Sequence, residues 1–120
     1  MEAEGYKSLK IWQTGIEIAL LSYQITKSFP SSEKFGLTSQ INRCSVSIPA
    51  NIAEGYGRNS NKEFIQFLYI ALGSCNELDT HIIISRELGL VGNSEFNLIN
   101  GLRLKVARMI CAFITKRKAI

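Results

Sequence analysis

Ser45-Val46-Ser47-Ile48-Pro49-Ala50-Asn51-Ile52-Ala53-Glu54-Gly55-Tyr56-Gly57-Arg58 is the stretch on which the fold turns. Ile48 and Ile52 extend a line begun by Leu37, Ile41 and Cys44, so apolar residues recur every three or four positions. That is the period of a helix with one buried face. Pro49 sits inside the line, where its ring crowds the carbonyl of Ser45 and its missing N–H removes a ladder bond. The stripe nevertheless keeps phase across it. The pattern therefore predicts a kinked but continuous helix over residues 32–56, with a break at Pro49 as the alternative. Ser31-Ser32-Glu33 gives it a serine cap and an acid in the first turn.

Downstream, Gly55-Tyr56-Gly57-Arg58-Asn59-Ser60-Asn61 is loop chemistry. Ser60 and Glu63 form a capping box that opens a helix over residues 61–88. Its stripe is Phe64, Phe67, Leu68, Ala71, Cys75, Leu78 and Ile82, and Gly89 is its C-cap. Asn93 or Ser94 caps a last helix over residues 94–117, striped by Phe96, Ile99, Leu102, Val106, Ile110 and Phe113. Upstream, Leu9, Trp12, Ile16, Ala19, Leu20, Tyr23 and Ile25 mark a helix over residues 9–28, stopped before Pro30. No segment alternates like a strand. The expected fold is all-α: one domain over residues 1–120, an up-down-up-down four-helix bundle.

The 120 residues are 46% hydrophobic and 20% charged, a globular composition. Three cysteines, Cys44, Cys75 and Cys111, have no paired spacing, which points to buried thiols in a reducing cytoplasm rather than disulfides or a zinc knuckle. The acidic start Met1-Glu2-Ala3-Glu4-Gly5 lacks the pattern of a signal peptide, and no apolar run is long enough for a membrane span.

Two polar patterns exceed what a bundle requires. Gln40, Arg43, Ser47, Asn51, Glu54 and Arg58 share one face of the second helix. Glu63, Gln66, Ser74, Glu77 and His81 form a matching set on the third, with Gly73 among them. Short polar residues and few lysines suggest a buried or interfacial network, against the alternative of a solvated face. The second pattern is charge. Residues 1–95 carry eight Lys/Arg against ten Asp/Glu, whereas residues 96–120 carry six cations and no acid, within a net charge of +4. Lys116, Arg117 and Lys118 complement the helix dipole, whereas Arg103, Lys105 and Arg108 have no such explanation. Lys105, Arg108 and Lys116 fall on one side, a candidate line of phosphate contacts, with Arg103 on another face. A solubilising face, or one meeting acidic neighbours, is the alternative.

Catalytic patterns are missing. No phosphate loop, nucleophile elbow or HExxH occurs. The single histidine, His81, lies one turn after Glu77, two potential ligands where zinc takes three or four. A hydrogen-bonded structural histidine is expected. So are no catalytic residue, no metal and no cofactor.

Tyr6-Lys7-Ser8-Leu9-Lys10-Ile11-Trp12-Gln13, the run from Phe29 to Ile41, the quoted central stretch and Phe67-Leu68-Tyr69-Ile70-Ala71-Leu72-Gly73-Ser74-Cys75-Asn76-Glu77-Leu78 together resemble the bacterial four helix bundle protein family. Its members are encoded in intervening sequences of the 23S ribosomal RNA gene. The likeness covers residues 6–91, and Ile48-Pro49-Ala50-Asn51-Ile52-Ala53-Glu54-Gly55 is its most distinctive part. It implies a ring-shaped homopentamer. It also implies kinship with the accessory proteins of diversity-generating retroelements, basic pentamers that bind nucleic acid. Asn42, Cys44 and His81 depart from the family's usual Arg, Ala and Gln.

The family pattern picks out Asn51, Glu54, Arg58 and Glu77 as a structural network that sets helix register or subunit geometry. Apolar positions off the stripes (Ile11, Ile65, Tyr69, Leu72, Ile83, Leu98 and Leu104) suggest a homo-oligomer. The expected function is non-enzymatic: association with RNA through the basic fourth helix, or a protein-interaction scaffold ring with no nucleic acid. No membrane partner is expected.

Overall fold

The structure, a computed structural model, describes residues 3–120; Met1 and Glu2 of the acidic N-terminal segment lie outside the described residues. A 3₁₀ turn at Gly5–Ser8 leads into α1 (Lys10–Thr26), and a second at Ser31–Glu33 precedes α2 (Leu37–Tyr56). Then follow α3 (Asn61–Glu87) and α4 (Asn93–Lys118), so the described residues are all helix and connection. Each helix packs on the next, and α4 closes back on α1. The diagonal pairs, α1 with α3 and α2 with α4, meet only through the side chains of the shared core, with no Cα atoms within 8 Å of one another among the described residues. No helix is long and apolar enough to cross a membrane.

One end of the bundle shows how the chain is laid down. Tyr6 packs edge-on to Trp12 and Tyr56, Tyr56 on Phe64, and Phe64 on Phe113. The start of α1, the end of α2, the start of α3 and the end of α4 therefore meet in one aromatic cluster. Asn61 Nδ2 adds a hydrogen bond to the Arg117 carbonyl at 2.7 Å.

The core contains Ile41, Cys44, Ile48 and Ile52 from α2, six of the seven expected α3 positions, and Phe96, Ile99, Val106 and Ile110 from α4. Phe67, Leu102 and Phe113 pack only in part, and Ile114 takes a fully internal place. On α1 the expected face holds only in part: Ile25 is buried and Leu9 and Trp12 pack against the core, but the centre of the buried face lies elsewhere. Ile11, Ile18 and Ile25 are buried, whereas Leu20 and Tyr23 are 68% and 52% exposed. Ile11, read as surplus surface, belongs to the core. The reason is the size of its neighbours. Thr14, Gly15, Ser22 and Thr26 share the buried face, and at Gly15 a Cβ would lie 3.2 Å from Pro49. α1 approaches α2 through small residues, so the more hydrophobic side chains face outward.

Pro49 is buried and α2 runs through it unbroken. Its missing N–H costs a bond, and its ring is seated against Gly15. The start of α2 differs from expectation. Ser31–Glu33 forms its own 3₁₀ turn, and α2 begins at Leu37, whose N–H is met by Glu33 Oε1 at 3.2 Å. The acid, reaching forward, does the capping that the sequence pattern assigns to serine. α4 is capped by Gly92 rather than Asn93 or Ser94, and no side chain bonds to its first turn. Ser60 does cap α3, accepting from the Glu63 N–H at 3.2 Å. At its other end Gly89 takes φ +77°, while Leu90 N–H and Gly89 N–H bond to the carbonyls of Ser85 and Arg86. That is the paired closure in which glycine avoids the strain of a left-handed turn.

Candidate functional site

The polar face lies along the seam of α2 and α3, and only one point on it is a tight cross-link. Ser47 Oγ and Ser74 Oγ are 2.7 Å apart, and Asn51 Nδ2 donates to Ser47 Oγ at 2.9 Å and to the Ser47 carbonyl at 2.8 Å. Ser74 is buried; Gln40, Arg43, Glu54, Arg58, Gln66 and Glu77 are exposed. Glu54 and Arg58 form a separate one-turn pair at 3.0 Å, with the guanidinium 4.8 Å from the Phe67 ring. Glu77 instead reaches His81, Oε2 to Nε2 at 3.2 Å.

The residues Asn51, Glu54, Arg58 and Glu77 thus fall into three local groups and not one network. The Ser47–Ser74 pairing explains why. Opposed helices in this register set Glu77 beside Cys44, and Arg58 lies fourteen residues further along, about 21 Å away at 1.5 Å per residue. Gly73 is exposed with open space around it, so it marks no close approach within the chain. That role belongs to Gly55, where a Cβ would lie 2.5 Å from Phe67 Cβ and 3.0 Å from Phe64 Cδ1.

Cys44 and Cys75 are buried, and burial pushes their thiols up to about 12 and about 11. Glu77 also raises Cys44 by its negative charge, while Arg103 partly offsets the effect at Cys75. Cys111 departs from expectation and is exposed.

The cations of α4 divide into two sets. Arg103 turns inward: its side chain is 12% exposed, reaches Asp79 of α3 at 3.4 Å and holds Asn100 Oδ1 at 2.9 Å. Arg117 lies over Phe64 and Phe113, and Lys118 over Tyr69. Lys105, Arg108 and Lys116 are exposed and make no ion pair among the described residues. Gly101 and Ala112 are also exposed.

The sequence profile of a family described as 23S rRNA-intervening sequence protein matches residues 7–112. The chain belongs to that family. Among solved structures, a protein of unknown function from the S23 ribosomal protein family of Bacteroides thetaiotaomicron is similar at 23% identity. The match covers 87% of this chain and 97% of that one, with a TM-score of 0.78, and shows a shared fold. No curated protein matches the chain. In this intervening-sequence family member the profile takes in the whole α2–α3 seam, together with Lys105 and Arg108. Lys116, Arg117 and Lys118 lie beyond it.

Sequence spacing missed the third member of one cluster. Glu77 and His81 are visible as a one-turn pair, but Cys44 is on another helix. One ligand atom from each of Cys44, Glu77 and His81 lies within 4.8 Å of the others. The only signal in the sequence was that Cys44 lies at the edge of the apolar stripe, next to the polar one.

Proposed function

We propose that this family member is a non-enzymatic, cytoplasmic homo-oligomer that associates with RNA along α4, through Lys105, Arg108 and Lys116. The observation that carries the reading is the division of the α4 cations. Arg103 and Arg117 are partly buried against Asp79 and against Phe64 and Phe113, and Lys118 lies over the Tyr69 ring, whereas the other three project from one side of the helix without partners among the described residues. Three unengaged cations within twelve residues suit a run of phosphates. The free thiols of Cys44, Cys75 and Cys111 suit a reducing compartment.

The proposal includes an up-down-up-down order, supported by the aromatic cluster at one end, and assembly as a ring-shaped homopentamer. Assembly is supported by exposed apolar side chains that the single chain leaves uncovered, among them Tyr69, Ile70, Ile83 and Leu98. A ring would repeat the basic line and multiply weak contacts through effective concentration.

A gel shift with RNA across a salt series tests the reading. Wild-type affinity should fall steeply with salt. Replacing Lys105, Arg108 and Lys116 together with Ala should weaken binding to all sequences and flatten the salt slope, leaving oligomer mass unchanged. Unchanged affinity in the triple variant rejects the contact line. The second reading is a scaffold ring with no nucleic-acid partner, favoured by the same exposed apolar residues. It stands if the wild type binds no RNA while remaining oligomeric. A mass of 13.4 kDa by light scattering at micromolar concentration overturns the assembly.

A further inference from the structure

The seam between α2 and α3 brings three metal-ligating side chains to one point. Glu77 and His81 project from successive turns of α3, with Oε2 and Nε2 3.2 Å apart. Cys44 faces them from α2, and one ligand atom of each of the three lies within 4.8 Å of the others. We propose that Cys44, Glu77 and His81 bind a zinc-type divalent cation, with a fourth position open to solvent.

The geometry is close to what such an ion needs. Two ligands about 2.0–2.1 Å from a tetrahedral zinc are separated by about 3.3 Å, near the distance already present between Glu77 and His81. Cys44 has to close by about an ångström, since sulfur sits about 2.3 Å from zinc. Metal binding asks this of its side chain, with Sγ leaving its present 3.4 Å contact with the Ile41 carbonyl. The backbone is fixed independently, because Ser47 and Ser74 tie the two helices one turn away.

The donor set selects the metal. One thiolate, one imidazole and one carboxylate suit zinc and its substitute cobalt, whereas magnesium and calcium take oxygen ligands throughout. Three protein ligands with one open position is an accessible zinc site rather than a closed one. Access is available: a hollow of about 220 Å³ lined by Gln40, Arg43, Cys44, Ser47 and Glu77 leads to the thiol. The Glu77 side chain is 51% exposed and that of His81 19%. Arg43 lines the same hollow, but no ion pair joins it to Glu77 among the described residues. When the ion binds, the Cys44 Sγ–H proton passes to solvent and the thiolate sulfur donates to the metal, with His81 neutral and donating through Nε2. No ligand lies on α4, so the site stands or falls separately from the RNA reading.

The test is a cobalt titration of the reduced 120-residue chain, followed by displacement with zinc. Thiolate ligation produces a charge-transfer band in the near ultraviolet. The expected result is one cobalt per chain with that band, lost when zinc is added. Cys44→Ala should abolish the band. His81→Gln, a change on the solvent side of the seam, should weaken cobalt binding by about tenfold or more. Cys111→Ala should leave both band and affinity unchanged. Circular dichroism establishes that each variant is folded; should Cys44→Ala not fold, His81→Gln decides. Zinc should also raise the Tm of the wild type and not of His81→Gln. No band with the wild type overturns the site. So does a band that survives Cys44→Ala, one that disappears with Cys111→Ala, or an affinity unchanged in His81→Gln.

Discussion

The α2–α3 seam and the docking of α4 solve the same packing problem in opposite ways. Along the seam the contacts are made by small residues. Gly55 admits Phe64 and Phe67, Ser47 meets Ser74, and the Cys75 thiol is enclosed. α4 is held at a greater reach by long cations. Arg103 stretches to Asp79, Arg117 spreads over Phe64 and Phe113, and Arg86 of α3 lies 3.9 Å from the Phe96 ring. Close approach fixes how the two backbones meet, so the seam depends on particular atoms. Long side chains pack along their stems and tolerate movement of their heads.

Thiol reactivity gives the sharpest contrast. In the native chain Cys111 should react rapidly with a thiol reagent, while Cys75 should react about a hundredfold or more slowly, because it is enclosed and its thiol is pushed from about 9 up to about 11. One fast equivalent per chain, rising to three in denaturant and falling to none in Cys111→Ser, is the expected count. Three fast equivalents in the native protein would break the contrast.

Adding one methyl to the seam should come next. Gly55→Ala places a Cβ 2.5 Å from Phe67 Cβ, which neither helix can absorb without moving. A loss of about 2 kcal/mol is expected, a Tm fall of roughly 8 °C. A denaturant melt that matches wild type would show the seam to be looser than its geometry.

On α4, Arg103→Ala should cost about 1 kcal/mol through the loss of a mostly buried ion pair and its packed stem. Lys105→Ala, at an exposed and unpaired position, should change stability by no more than about 0.5 kcal/mol. Equal losses would mean that α4 does not sort its cations as described. The smallest effect has the opposite sign. Gly73→Ala meets open space in the middle of α3 and should raise stability by about 0.5–1 kcal/mol. A loss would break the open-space reading at Gly73, and a gain accompanied by a lower oligomer mass would place another subunit against it.

Much of the core could be read directly from the chain. On α2, α3 and α4 the apolar stripes are the buried faces, because long aliphatic and aromatic side chains there coincide with the direction of packing. α1 resisted the same reading. Its buried face is built from Thr14, Gly15, Ser22 and Thr26 between isoleucines seven residues apart, and hydrophobicity alone chose Leu20 and Tyr23 instead. The polar stripe was visible as a face of two helices, but its division into three groups was not, since that depends on which residue of α2 lies opposite which residue of α3.

The sequence by itself determined that the chain is helical, that Pro49 lies within a helix, that Ser60 and Gly89 bound α3, and that the basic excess falls on the fourth helix. These follow from local physics: periodicity, capping and backbone restriction act over a few residues and are written in order along the chain. Only the tertiary structure decided that Arg103 is paired inward while Lys105, Arg108 and Lys116 make no ion pair among the described residues, that Gly55 rather than Gly73 is the point of close approach, and that Cys44 joins Glu77 and His81. Each of those depends on the register between helices. Register is fixed when the small residues of one surface meet the large residues of another, and no single helix carries both halves of that fit.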